Sequence, residues 1–265
     1  MNKEFKIIPI NLLNEYTSKL NPHVFEKFNQ LEDSDLSIEI FSFYTSVSAV
    51  FSSKIEGENI DLDSFIKYKR FGNEYLPDYT QKIDDLYEAY IFAMKNIINE
   101  KNLNLTHSLI TKHILKKTQQ GKFRTNNMFV VTKDGKIEYV ATAPEKVKEE
   151  MRKFYSDLKI LLVQELTFGE VLYYAAMIHL VFVKIHPFND GNGRMARLIE
   201  KWFIAQKLGE KAWYVQSEKN YYDLHQTYYQ NIRKLGLDYE ELDFEQSLSF
   251  LLMLPNAINK INSNF

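Results

Sequence analysis

The sequence contains no cysteine. Disulfides, thiolate zinc sites and a cysteine nucleophile are thereby excluded. Glycine is scarce: nine residues in 265, where an average usage of ~7% would give about nineteen. Proline, at six, is scarce too. A chain that spares both breakers spends most of its length in helices. Neither sign of charge dominates, because 33 Lys and Arg against 35 Asp and Glu leave a net charge of −2. No global electrostatic argument therefore points to nucleic acid or an anionic membrane. No long hydrophobic run is present either. The most apolar stretch, Val171 to Ile185, contains His179 and Lys184 and falls short of the ~20 residues a membrane span needs. The first residues, MNKEFKIIPINLL, lack a basic segment followed by an apolar one and a cleavage site. A cytoplasmic protein with no nucleic-acid or membrane partner is expected. What the chain does have is apolar bulk, 45% hydrophobic and 14% aromatic residues, which argues for a large core and against disorder.

The expected fold is all-α and mainly helical, with an N-terminal helical extension over 1–78 and a core with C-terminal helices over 79–265. Leu36, Ile40, Phe43, Tyr44, Val47, Val50 and Phe51 recur at helical spacing over 36–56. Ser34 can cap that helix at its start, and Gly57 is a natural stop. Further helices are predicted near 61–71, 79–100, 106–119, 144–163, 168–185, 194–208, 218–235 and 241–260, with Pro144 in a first turn. Residues 127–141 break the pattern. Phe129, Val130 and Val131 are strand formers, Asp134-Gly135 is a type I′ turn signal, and Ile137, Tyr139 and Val140 follow. This predicts one β-hairpin, whose free edge could pair with an extended peptide.

The segment His186 to Arg197, HPFNDGNGRMAR, carries the most chemistry. Pro187 ends the apolar helix before it. Asp190, Gly191, Asn192 and Gly193 form a polar turn, and a new helix follows. Glycines let backbone N–H groups converge as an anion nest. The helix N-terminus adds partial positive charge. Arg194 and Arg197, three residues apart, share one face. Two guanidiniums, a nest and a helix dipole describe a polyphosphate site. Asp190 is suited to holding Mg²⁺ against phosphate oxygens. His186 has the chemistry of a general base. No GxxxxGK[ST] or GxSxG is present, so a P-loop NTPase and that type of serine hydrolase are excluded. None of the other five histidines has a metal-ligand spacing. His179 reads as a packing neighbour.

This segment resembles the Fic (Fic/Doc) motif HPFx[D/E]GNGRxxR at all of its specified positions. The resemblance implies a helical fold that transfers AMP from ATP to a hydroxyl of a target protein. It assigns His186 as the base and Asp190 as the Mg²⁺ ligand. Gly191, Asn192 and Gly193 would cradle phosphate oxygens, and Arg194 and Arg197 would meet the β- and γ-phosphates. Gly121-Lys122-Phe123-Arg124 and the hairpin look like the family's flap, which holds a target by strand addition. Tyr228-Tyr229 resembles an aromatic pair near the nucleotide end of the site. Self-modification is a further possibility under this resemblance.

Ser52-Ser53-Lys54-Ile55-Glu56-Gly57 matches the family's inhibitory pattern [S/T]xxxE[G/N], the class II arrangement. Ser52 and Glu56 lie on one helical face. A glutamate aimed at Arg197 would make a charge-assisted pair and take the γ-phosphate position. Ser52, Glu56 and Gly57 are therefore the expected inhibitory residues. Two other readings stand beside AMP transfer: removal of AMP from a target at the same site, and nucleotide binding without turnover in a regulatory module.

Overall fold

The computed structural model describes residues 5–38, 41–73, 75–131 and 137–259. The order is α1 (Leu13–Ser18), α2 (Val24–Asn29), α3 (Phe43–Ile55), α4 (Leu62–Phe71), α5 (Pro77–Lys95), α6 (Glu100–Ile110), β1 (Phe129–Val131), β2 (Ile137–Val140), α7 (Val147–Val163), α8 (Phe168–Ile185), α9 (Asn192–Leu208), α10 (Ser217–Asp223), α11 (His225–Arg233), α12 (Leu248–Leu251) and α13 (Met253–Asn259). Among the described residues the fold is helical with one two-stranded antiparallel sheet.

The centre is the pair α8 and α9. Helix α8 starts at a capping box: Glu170 N–H donates to Thr167 Oγ1 at 3.3 Å, and Thr167 N–H donates to Glu170 Oε2 at 2.7 Å. By length and composition α8 could cross a membrane, yet 83% of it is buried inside the protein. A helix that is apolar all round belongs in the middle of a core. Helices α1, α7 and α9 pack on it, and Tyr16 meets Tyr173 edge-on at 5.4 Å. One continuous buried cluster runs from Ile8 to Ile258, so residues on both sides of position 79 share a core. The N-terminal segment is also tied by charge. Buried Asp157 accepts backbone N–H groups from Lys6, Ile7 and Ile8 at 2.8–3.0 Å.

Helix α3 lies across α5, α9 and α10. It begins at Phe43 rather than near 36. Ser42, not Ser34, is its cap, accepting Thr45 N–H at 3.3 Å. The physical reason is a bridge just upstream, where Ile38 and Phe41 exchange backbone hydrogen bonds at 2.8 Å. Ser34 instead accepts Leu36 N–H in a local turn. Ile40 of the predicted stripe lies outside the described residues. Gly57, at φ 99°, follows the end of α3. The predicted helix 106–119 starts earlier, because Asn99 caps it through Asn102 N–H, and it stops at Ile110. The predicted helix 218–235 is two helices, and the segment after 241 is a run of short ones. Pro144 sits in a turn before α7 rather than in its first turn.

In the hairpin, Phe129 pairs with Val140 and Val130 with Tyr139. Asp134 and Gly135 lie outside the described residues. Val140 N–H also donates to Leu237 at 2.8 Å, so the 237–238 segment covers part of the β2 edge.

A buried polar junction fixes α3 to the core. Lys201 Nζ lies 2.6 Å from Glu218 Oε2 and 2.5 Å from Ser48 Oγ, and Tyr90 donates to Glu218 Oε1 at 2.7 Å. Both charges are within 1% of full burial. Breaking such a pair leaves a bare charge in the core. Lys201→Met is expected to lower unfolding free energy by about 3–5 kcal/mol, with partial recovery in the double variant carrying Glu218→Gln. Urea unfolding of the three proteins checks this. A loss below about 1 kcal/mol, the range of exposed pairs, would contradict it.

Candidate active site

The site forms where α8 gives way to α9. His186 closes α8 in the left-handed region, at φ 51° and ψ 59°, with Pro187 behind it. For a residue with a side chain this backbone is held rather than preferred. What holds it is Arg124. Its Nε donates to the His186 carbonyl at 2.7 Å, its Nη1 to Asn126 at 2.8 Å, and its Nη2 to Thr142. Its backbone N–H donates to Pro187 at 2.9 Å. Arg124 is 2% exposed, so these are interior bonds that bind both flanks of the hairpin to the loop.

The imidazole of His186 has a defined tautomer. Tyr139 Oη donates to the Val183 carbonyl at 2.8 Å, which uses its one proton. His186 Nδ1 lies 2.6 Å from the same Oη and 3.3 Å from the Val183 carbonyl. Both partners there are acceptors, so Nδ1 carries the hydrogen and Nε2 keeps its lone pair. Burial lowers the His186 pKa to about 4, so the ring is neutral near pH 7.

The loop is stapled from within. Asn192 accepts the Phe188 N–H and donates to the Phe188 carbonyl, both at 2.9 Å. Phe188 stacks on His107 at 3.6 Å between centroids. His107 Nδ1 accepts Gly121 N–H at 2.9 Å, so its Nε2–H donates to the Asp190 carbonyl at 3.0 Å. Burial lowers the His107 pKa to about 4 as well. Gly191 has φ 78°, and a Cβ there would lie 2.8 Å from Thr111. The Asp190 side chain is half exposed.

The head of α9 is an anion position, and a carboxylate of the protein occupies it. Glu56 Oε1 lies 2.6 Å from Arg197 Nη2. Arg197 Nε donates to Ser52 Oγ at 2.8 Å, and Nη2 also donates to the Ser52 carbonyl at 2.9 Å. A Cβ on Gly193 would fall 2.5 Å from Glu56 Oε1, so only glycine admits this approach. Burial pushes the Glu56 carboxyl up, but the Arg197 and Arg194 charges outweigh it and hold it below its ordinary value. Burial alone would lower Arg197, but Glu56 and its hydrogen bond hold it above its ordinary value.

Beside Glu56 opens a small pocket of about 80 Å³, lined by Val130, Tyr139, His186, Arg197, Tyr228 and Tyr229, among others. Tyr228 Oη lies 3.4 Å from Arg197 Nη1 and 2.9 Å from His179 Nε2. His179 Nδ1 meets Glu200 at 2.8 Å. A buried relay thus runs behind the arginine.

The Fic/DOC family profile matches residues 97–204, which contain the whole loop. Over that stretch the chain is similar to the Fic/DOC family. It is 35% identical over 81 residues to the protein adenylyltransferase Fic of Nematostella vectensis, a match that covers 31% of this chain and 17% of that protein. Solved Fic structures share the fold at low identity. One from Desulfovibrio desulfuricans aligns with TM-score 0.76 and 18% identity, covering 97% of this chain and 76% of that one. Fic-1 of C. elegans aligns at 0.65 and 16%, covering 94% and 70%. A Fic domain protein of Bacteroides thetaiotaomicron aligns at 0.62 and 16%, covering 93% and 91%.

Within this Fic fold, the residues singled out in the sequence meet at one place. His186, Gly193, Arg197, Tyr228, Tyr229 and Glu56 all line the pocket. Ser52 reaches Arg197 from α3. Gly57 supplies the turn rather than a contact, with nothing within 4 Å of its missing Cβ. Asn192 turns its side chain into the loop, and what it can offer a ligand is backbone N–H. Arg194 is turned to Glu58 at 2.5 Å, a residue that no pattern in the sequence marked. In sequence Tyr139 is only a strand former and His107 only one histidine of six. His179 is more than a packing neighbour, since both its ring nitrogens are engaged.

The two histidines with pKa near 4 make stability depend on pH. Unfolded, they titrate near about 6.5. Between the two values the unfolded chain binds more protons, so stability falls as pH falls from about 6.5 to 4. His107→Gln is expected to flatten that slope in urea unfolding followed across pH. An identical slope in variant and wild type would contradict it.

Proposed function

We propose that this Fic protein transfers AMP from ATP to a hydroxyl side chain of a target protein, and that Glu56 restrains the reaction. One observation carries the reading. A neutral histidine with a free Nε2 faces a site whose anion position is filled by the protein's own carboxylate. An enzyme for an anionic substrate, held in check, has this form. The match to a protein adenylyltransferase over part of its length supports the same reaction class.

The chain's groups divide the work. The target hydroxyl gives its proton to His186 Nε2 as its oxygen bonds to the α-phosphorus. The bond from that phosphorus to the β-phosphate bridging oxygen breaks, and pyrophosphate leaves. Positioning and charge stabilisation supply most of the catalysis in such transfers. Gly191 and Gly193 open the backbone to phosphate oxygens, the head of α9 adds partial charge, and Arg194 and Arg197 take the outer phosphates. Tyr139 keeps the His186 tautomer correct. Asp190 would hold Mg²⁺. Its carboxylate is half exposed, and no cluster of three or more acidic or histidine side chains surrounds it among the described residues. That donor set fits an ion shared with phosphates and water rather than one caged by protein. When bound, the ion neutralises phosphate charge. Tyr228 and Tyr229 line the space beside Arg197 where the base and ribose would lie. The target adds as a strand to the hairpin, or the chain offers its own hydroxyl.

In the restrained state Arg197 is paired to Glu56, so a triphosphate cannot bind it in line. Glu56→Gly is expected to raise transfer about tenfold or more, the worth of one charge-assisted hydrogen bond. His186→Ala is expected to lower transfer by about 10²–10⁴ while nucleotide still binds. Incorporation of labelled AMP into the chain and into candidate targets measures both. Equal transfer by wild type and Glu56→Gly would refute restraint by Glu56. Loss of AMP removal from a modified target in Glu56→Gly, with no gain in transfer, would replace transfer with removal.

A further inference from the structure

The ion pair between Glu58 and Arg194 has no place in the preceding reading. It arises from the way α3 ends. Gly57 N–H donates to the Lys54 carbonyl at 3.1 Å, and Glu58 N–H donates to the Ser53 carbonyl at 3.2 Å. These two bonds, with Gly57 at φ 99°, make a Schellman turn. The turn reverses the chain directly after Glu56 and brings a second carboxylate to the head of α9. Glu58 Oε1 then lies 2.5 Å from Arg194 Nη2, with side chains 7% and 5% exposed.

The rest of each group is unmet. Glu58 Oε2, Arg194 Nε and Arg194 Nη1 are buried with no hydrogen-bond partner among the described residues. The charge that Arg194 Nη1 does face is Asp190 Oδ1, at 3.8 Å. Buried donors without acceptors are costly. The contrast with Lys201 and Glu218 is informative. There the ammonium also meets Ser48, and both carboxylate oxygens have partners. That pair is complete as it stands. Arg194 is a guanidinium with spare buried donors, held by a single hydrogen-bonded contact at the head of α9. A group that exchanges one anionic partner for another has this arrangement.

We propose that Glu58 is a second restraining residue: it occupies Arg194 as Glu56 occupies Arg197, and it must yield before a nucleoside di- or triphosphate engages both arginines. This rests on the nucleotide reading of the site. Two guanidiniums one turn apart are spanned by more than one phosphoryl group. A nucleoside monophosphate leaves Arg194 to Glu58. Glu58 therefore acts on affinity for polyphosphates and not on affinity for monophosphates. Its removal also lowers the KM for ATP in a Glu56→Gly background while leaving kcat nearly unchanged, because Glu58 touches neither the α-phosphorus position nor His186.

The test is calorimetric titration of Glu56→Gly/His186→Ala protein, which turns over slowly and leaves Arg197 open, with MgATP and separately with AMP, with and without Glu58→Gln. Glu58→Gln preserves shape and removes charge. It is expected to tighten MgATP about tenfold and to change AMP by less than about twofold. No change for MgATP, or an equal change for both nucleotides, would overturn the proposal. Glu58→Asp keeps the charge and shortens the reach, so it should tighten MgATP by an intermediate factor. That second variant decides the question should Glu58→Gln fail to give a cooperative thermal transition. The two readings fail differently. MgATP that binds without responding to Glu58→Gln defeats only the role of Glu58, whereas MgATP that does not bind at all defeats the nucleotide reading.

Discussion

Arg197 is buried on a helix in the middle of the core, and a buried guanidinium has to find anions and acceptors. Most of the site's geometry follows from that requirement. Helix α3 meets it from one side with Ser52 Oγ, the Ser52 carbonyl and the Glu56 carboxylate. Tyr228 meets it from another, backed by His179 and Glu200. The carboxylate is the one partner that carries full charge, and it is also the partner nearest solvent, with a side chain a quarter exposed. The interior partners contact the arginine at Nε, Nη1 and Nη2 without drawing on Glu56. The charge partner can therefore be exchanged without the arginine losing its position. A site whose cation is preset and whose anion is replaceable is suited to both restraint and binding.

The same economy of parts holds around His186. Its ring, its backbone and its tautomer are each set by a different neighbour: Tyr139 and Val183 for Nδ1, and Arg124 for the carbonyl. None of these is a charged partner at hydrogen-bond distance from the ring. The imidazole therefore stays neutral by burial, whereas a carboxylate at that place would have favoured the protonated form.

The helical fold was legible because glycine and proline are rare and apolar spacing is regular. The loop 186–197 was legible because its residue types stand at the short, fixed intervals of the Fic motif. Ser52, Glu56 and Gly57 could be read from the inhibitory pattern they match. The supports could not. Arg124 acts on His186 across 62 positions, Glu58 on Arg194 across 136, and Lys201 on Ser48 across 153. Pairings at that range are set by how helices pack, and an isolated Arg, Glu or Lys looks like a surface residue in sequence. The start of α3 was misplaced for a related reason. The bridge between Ile38 and Phe41 competes with the helix for the same residues, and Ser42 then caps better than Ser34.

Arg124 has a last consequence, for precision. One guanidinium ties Asn126 ahead of β1, Thr142 beyond β2 and the loop that carries His186. Strand and imidazole are thus measured from one origin, with little slack between them. For a peptide laid along the hairpin, the uncertainty in where its hydroxyl lands is the uncertainty of the peptide alone. Orientation fixed in advance raises effective molarity, and an error of an ångström would forfeit much of it. Under the proposed reaction the hairpin would work as a ruler whose zero mark is His186.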